Sequence, residues 1–141
     1  PENVSLAGTL RFTNEAVHQQ IHAEIRQAFE IVRALGGAYE LRFQIGGPPN
    51  VNDQSVSALI ERTGKDILGE DNVLEIQKTL GAEDFGEFLR LAPGAMFTLG
   101  TQKAGHEEYL LHHPKFDLDE RALPIGTAML VETAKRFLQE A

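Results

Sequence analysis

The chain has 141 residues, of which 42% are apolar, with 13 Lys and Arg against 21 Asp and Glu for a formal charge of −8. That length suits one domain or two small pieces, and the apolar fraction is that of a packed chain rather than a disordered one. The acidic balance argues against nucleic acid or an anionic membrane as a natural partner.

There is no cysteine. A disulfide scaffold, a cysteine nucleophile and a thiolate metal site are thereby excluded for this chain. The absence fits a reducing compartment, and a cytoplasmic location is expected. No apolar run approaches the roughly 18 residues that a membrane span needs. No charged and apolar leader opens the chain. It starts at Pro1-Glu-Asn-Val, directly before a strand pattern and without an initiator Met. That start is expected to be a cut within a larger protein.

From Val4 to Phe12 the pattern alternates. Val4, Leu6, Gly8, Leu10 and Phe12 fall on one face, with Ser5, Ala7, Thr9 and Arg11 on the other, which predicts a half-buried strand. Thr13 or Asn14 can cap the helix that follows. On it Val17, Ile21, Ile25, Ala28, Val32 and Leu35 make one apolar stripe, ended by Gly36-Gly37. Tyr39, Leu41, Phe43 and Ile45 then alternate with Glu40, Arg42 and Gln44, giving a second strand. Two strands and one helix are marginal without further pairing, so this unit is expected to pair with strands from elsewhere.

Gly46-Gly-Pro-Pro-Asn-Val-Asn-Asp53 breaks the pattern, and a domain boundary is placed here. Asn52 or Asp53 can cap a helix that carries Val56, Leu59, Ile60, Thr63 and Ile67 inward and ends at Gly69. Asn72 to Gln77 reads as a short strand. Gly81-Ala-Glu-Asp-Phe85 opens a short helix that stops near Pro93-Gly94. Ala95 to Leu99 is nearly all apolar, as in a strand buried on both faces. A polar loop runs from Gly100 to about His113. Asp117 and Glu120 have capping-box spacing. The last helix is expected to pack through Leu123, Met129, Leu130, Ala134 and Phe137, with Ile125 near the edge of the stripe. Strands alternating with helices predict a layered α/β body.

The densest chemical cluster is His106-Glu-Glu-Tyr-Leu-Leu-His112-His113-Pro114, in the loop after the Ala95–Leu99 strand. Ligands of α/β proteins gather at the carboxyl ends of strands, and neutral imidazole suits zinc. Adjacent loop histidines are nonetheless ordinarily solvated or hydrogen-bonded, and spacing alone favours that reading. One histidine is also not a site, because catalytic zinc usually takes three protein ligands. Arg11, on the polar face of the first strand, could hold a carboxylate by two parallel hydrogen bonds. Taken alone, an exposed edge arginine is the simpler account. Glu83 and Asp84 read first as acids at a helix N-terminus. His18 and His22, at i and i+4 on the first helix, could form a metal clip, but a solvent-facing role is favoured. No phosphate loop or nucleophile elbow is present.

Five blocks taken together carry a resemblance. They are Pro1-Glu-Asn-Val-Ser-Leu-Ala-Gly-Thr-Leu-Arg-Phe12, Pro48-Pro-Asn-Val-Asn-Asp53, Gly81-Ala-Glu-Asp-Phe85, Pro93-Gly-Ala-Met-Phe-Thr-Leu-Gly100 and Leu111-His-His-Pro-Lys-Phe-Asp-Leu-Asp-Glu-Arg-Ala-Leu123. In this order they resemble the dinuclear zinc amidohydrolases of the aminoacylase/carboxypeptidase kind, which include hippurate, N-acyl-amino-acid and auxin-conjugate hydrolases. The resemblance implies the C-terminal part of a zinc-peptidase-like layered α/β catalytic domain, residues 50–141. It implies that residues 1–49 are the second half of a ferredoxin-like lid and dimerisation domain. It makes His112 a metal ligand, with His113 in a variable place. It places Arg11 against the substrate carboxylate, and Glu83 in support of the site. Two zinc ions, or manganese or cobalt, are implied in the complete enzyme.

The remaining ligands, the bridging ligand and the glutamate general base would lie before Pro1. The chain by itself is therefore expected to be inactive, with the N-terminal half of the same enzyme as its partner and a homodimer formed through the lid. The implied substrate is a small N-acylated amino acid. This reading requires the His112 imidazole to face a cleft where groups from the absent half converge. The rival readings are a non-enzymatic dimerisation or interaction module that pairs through the edges of residues 4–12 or 39–45, and a degenerate homologue.

Overall fold

The computed structural model describes residues 1–44 and 46–140. Four helices appear among them: α1 (Glu15–Ala34), α2 (Gln54–Leu68), α3 (Gly86–Leu89) and α4 (Ala122–Glu140). The chain divides into two compact units, one of Pro1–Val51 with Gln77–Ala92, the other of Asn52–Ile76 with Pro93–Ala141.

In the first unit, α1 starts where Asn14 stops it fraying. The residue is extended (φ −159°, ψ 166°), and its side-chain oxygen accepts the Val17 amide at 3.0 Å. At the other end Gly36 takes φ +82°. The Gly36 amide then reaches the Arg33 carbonyl and the Gly37 amide the Val32 carbonyl, closing the last turn with two bonds. Val17, Ile21, Ile25 and Val32 lie on the half-buried face as the stripe predicts. His18, His22 and Phe29 join them, while Ala28 and Leu35 are exposed.

The strands expected at 4–12 and 39–45 form no ladder among the described residues, and Ile45 lies outside those residues. Their alternation survives only in part as a pattern of burial: Val4, Leu6 and Gly8, expected on the covered face, are exposed. Leu10, Phe12, Tyr39, Leu41 and Phe43 are half-buried, whereas Arg11, Glu40, Arg42 and Gln44 are exposed. The aromatic residues lean on α1: Phe12 stacks on His18, Phe43 on His22, and Tyr39 tilts against Phe29. The helix supplies an apolar surface but no backbone partner, so alternation without a neighbouring strand yields packing and no sheet. α3 closes against the Pro48–Pro49 segment, where a Cβ on Gly86 would lie 2.7 Å from the Pro48 carbonyl oxygen.

The second unit is built on α2 and α4. Asp53 caps α2 by accepting the Ser55 and Val56 amides at 2.9 and 3.0 Å, as sequence predicts. Gly69 (φ +89°) ends the helix, and Glu70–Asn72 forms a tight 3-10 turn in place of the start of the expected strand 72–77. Leu59, Thr63 and Gly64 of α2 are buried, with Ala122 and Met129 of α4. The Thr63 hydroxyl meets its burial by donating to the Leu59 carbonyl at 2.9 Å. Arg136 pairs with Asp66 across the two helices at 2.6 Å, a surface ion pair of small worth.

Residues 95–99 depart from expectation too. Ala95, Phe97 and Leu99 are half-buried but Met96 and Thr98 are exposed, so one face is covered and not both. The backbone of Met96 is held by the Asn52 amide, which donates to its carbonyl (2.8 Å) and accepts its amide (2.9 Å). A side chain thus makes the two bonds that a neighbouring strand would.

The packing face of α4 is a correction. Of the residues expected inward, only Met129 is buried; Leu123, Leu130 and Phe137 are 59%, 64% and 54% exposed. The covered stripe is Ala122, Ile125, Met129, Thr133 and Arg136. This helix is apolar around most of its circumference, the composition of a helix covered on several sides. Two separate globules of half this mass would together expose about 8,700 Å² by size scaling, whereas this chain exposes 11933 Å². Much of its apolar surface therefore has no cover within the 141 residues.

The start of α4 is also set differently from the expected Asp117–Glu120 box. Asp119 takes the capping work: its carboxylate accepts the Arg121 amide at 3.0 Å and its carbonyl the Ala122 amide at 2.9 Å. The Arg121 guanidinium, with that amide, holds the Asp119 carboxyl at about 2, below the usual carboxylate range. A depressed carboxylate contributes stability that is complete above its ordinary value. The contribution is lost as pH falls from roughly 4 to the folded value. A carboxyl-carbon NMR titration should place the Asp119 midpoint near 2; a midpoint at the ordinary aspartate value contradicts the pairing.

Candidate metal-ligand loop and substrate-anchoring residues

The loop after residue 99 is tied down at its base. Lys103 pairs with Asp117, which lowers the carboxyl and raises the ammonium, and the Asp119 amide donates to the Thr101 carbonyl at 2.7 Å. Between these ties the chain makes two turns. The His106 amide donates to the Lys103 carbonyl at 3.2 Å with Gly105 at φ +76°, and the His113 amide donates to the Leu110 carbonyl at 3.1 Å.

The second turn separates two adjacent imidazoles. His113 is engaged: its ring stacks on Tyr109 with centroids 4.5 Å apart, and its Nδ1 accepts the Lys115 amide at 3.1 Å. Tyr109 in turn donates its hydroxyl to Glu107 at 2.6 Å, and this bond to a carboxylate raises the phenol pKa. His112 is exposed, and no described side chain hydrogen-bonds its ring. Its backbone has φ +71°, a left-handed value otherwise shown here only by glycines among the described residues. The cleft expected around its ring would be lined by groups from the absent half. Among the described residues no three His, Cys, Asp or Glu side chains converge where an ion could sit. The donor set therefore fits one ligand of a metal centre and not a centre.

Arg11 and Glu83 belong to the first unit and His112 to the second. Arg11 is exposed; Nη1 donates to the neighbouring Leu10 carbonyl at 3.2 Å, and no described carboxylate pairs with the guanidinium. Glu83 is exposed. Neither it nor Asp84 caps α3, which has no side-chain cap, so the simple capping account of these acids does not hold.

His18 and His22 do not face solvent as expected. Their rings meet edge to face at 4.3 Å and lie between Phe12 and Phe43. Glu15 reaches His18 Nδ1 at 3.2 Å, and the Arg26 guanidinium lies 5.0 Å from the Phe43 ring centre. Burial first, then His18 and Arg26, lower the His22 pKa. These imidazoles fasten the two flanking segments to α1. The sequence signal for this role was the aromatic residue at the helix-facing end of each alternating segment.

Residues 4–136 match the model of Peptidase family M20/M25/M40. The chain belongs to this family, whose peptidase-like α/β members work with divalent metals. It is 34% identical over 145 residues to a Synechocystis sp. protein named "Probable hydrolase", a match covering 98% of this chain and 36% of that protein. An IAA-amino acid hydrolase of Arabidopsis thaliana is 28% identical over 146 residues, covering 99% of this chain and 33% of the relative. The N-acetyl-L-cysteine deacetylase of Bacillus subtilis is 28% identical over 142 residues, covering 98% and 32%. The chain thus spans about a third of the length of these curated relatives. No helix among the described residues is long and apolar enough to cross a membrane.

Proposed function

We propose that this chain is part of a metal-dependent amidohydrolase that cleaves the amide bond of N-acyl amino acids or similar small conjugates. The observation that carries the reading is the division of labour at the Leu110–Phe116 turns. His113 is spent on the fold, while His112 is held in a left-handed conformation with its ring free of hydrogen bonds from the described side chains. Unusual backbone conformations persist where the surroundings impose them, and they cluster at functional sites.

In this reading His112 supplies one imidazole to a pair of divalent ions, zinc or else manganese or cobalt. Such ions, when bound, lower the pKa of a water and polarise the scissile carbonyl. The other ligands and the glutamate base come from the rest of the protein, which is the partner of this chain. Residues 1–49 form half of a ferredoxin-like lid through which two copies pair, and residues 50–141 belong to the catalytic domain. The bare aromatic-backed segments at 4–12 and 39–44 fit a sheet completed from elsewhere. Arg11, exposed and without a carboxylate partner among the described residues, binds the substrate carboxylate through its two-pronged guanidinium. Glu83 supports the site from the segment before α3.

In the full-length protein His112→Ala should lose most hydrolysis of N-acyl amino acids and bind less metal. Metal analysis of the purified variant decides this: unchanged stoichiometry with unchanged turnover sinks the assignment. Arg11→Ala should raise KM for carboxylate-bearing substrates by about tenfold to a hundredfold, the loss of one charge-assisted contact. An equal loss on a substrate whose carboxylate is replaced by an amide would contradict the anchoring role.

A further inference from the structure

We propose that Tyr109, His113 and Lys115 form a latch that positions His112, keeping its backbone left-handed so that its imidazole is presented free. The latch deepens the reading of His112 as a metal ligand and rests on it for its purpose, though not for its geometry.

His112 is the third residue of the turn closed by the His113 amide and the Leu110 carbonyl, and it has φ +71°. A turn with positive φ at that position alone favours glycine or asparagine there. A histidine is disfavoured by contact between its Cβ and the backbone. Something outside the residue must hold it, and the following residues do so. The His113 ring lies nearly parallel to that of Tyr109, at 13°, and its Nδ1 accepts the Lys115 amide. The His113 carbonyl accepts the Phe116 amide at 2.9 Å. Pro114 restricts His113 further toward extended conformations. The Lys115 ammonium stands 5.6 Å from the centre of the Tyr109 ring, whose hydroxyl is fastened to Glu107. Tyr109, before His112 in the chain, thus holds His113 and Lys115, which follow it. A ligating imidazole ordinarily needs a group that orients it, and loss of such a group costs metal affinity.

The test begins on the isotopically labelled full-length protein by NMR. The first readout is the intraresidue amide-to-Hα Overhauser effect at position 112, which a positive φ makes strong. The second is the ring-current shift of the His113 ring protons. The wild type and Tyr109→Phe, which keeps the stack, are expected to show both signatures. Tyr109→Leu and His113→Ala are expected to lose more than half of the left-handed signature. Adding His112→Gly to Tyr109→Leu should restore it, since glycine needs no latch. Retention of the signature in both disrupting variants, or its absence from the wild type, overturns the proposal. The second arm measures metal content of the full-length protein after dialysis against a chelator. Tyr109→Leu should weaken zinc binding about tenfold and Tyr109→Phe should not. Intact zinc binding in Tyr109→Leu overturns the positioning role. If His112→Ala itself leaves zinc binding intact, the ligand reading fails, and the NMR arm still reports whether the latch exists.

Discussion

Met129→Ala is expected to destabilise the second unit by about 2–5 kcal/mol, the usual range for emptying a buried methionine site. Met129 is 4% exposed, and its Sδ and Cε come within 3.9 and 3.4 Å of where a Cβ on Gly64 would stand. The glycine lets α4 approach α2, and the flexible thioether fills the space between them. With Leu59, Ala122 and Thr63 as the other buried side chains of this unit, no large neighbouring core can relax into the hole. Leu130→Ala is the control. That side chain is 64% exposed, so its loss should cost less than about 0.5 kcal/mol. Urea unfolding of both variants separates the two faces of α4. Equal midpoint shifts would mean that the helix does not pack as described.

Gly86→Ala sets two effects of opposite sign against each other. At the first position of this short helix, alanine should gain less than the roughly 1 kcal/mol it gains over glycine in a helix interior. Here a Cβ would meet the Pro48 carbonyl oxygen at 2.7 Å and the Pro49 carbonyl oxygen at 3.3 Å. Both are backbone atoms of a proline pair with little freedom to yield. Overpacking of this kind typically costs about 1–3 kcal/mol, so the clash should win. The variant should release α3 from the Pro48–Pro49 segment, seen as faster amide exchange at residues 87–92. Slower exchange there would show that helix propensity governs the site instead.

The family and three of the helices were legible because their signals are local. A cap at Asn14 or Asp53 and a stop at Gly36 or Gly69 need only a few neighbouring residues. The blocks that carry the family resemblance are strings read in order. The strands were legible as alternation only, because a ladder requires a second strand that no residue pattern in one segment supplies. The beginning of α4 was misplaced by reliance on Asp117 and Glu120. Several acids there can cap, and Lys103, distant in sequence, takes Asp117 out of contention.

Local pattern alone determined where α1 and α2 run, that a further helix runs through Met129, and which side chains alternate. Tertiary structure decided the rest. It selected the Ala122–Met129 stripe of α4 over the more apolar stripe through Leu123, Leu130 and Phe137, because Met129 meets α2 at Gly64, whose missing side chain permits a close approach. It also drew His18 and His22 in among aromatic rings, and it set the His113 ring against Tyr109. Such choices depend on which surfaces meet. Burial, ring stacking and backbone strain are properties of contacts between segments, and a periodicity within one segment does not contain them.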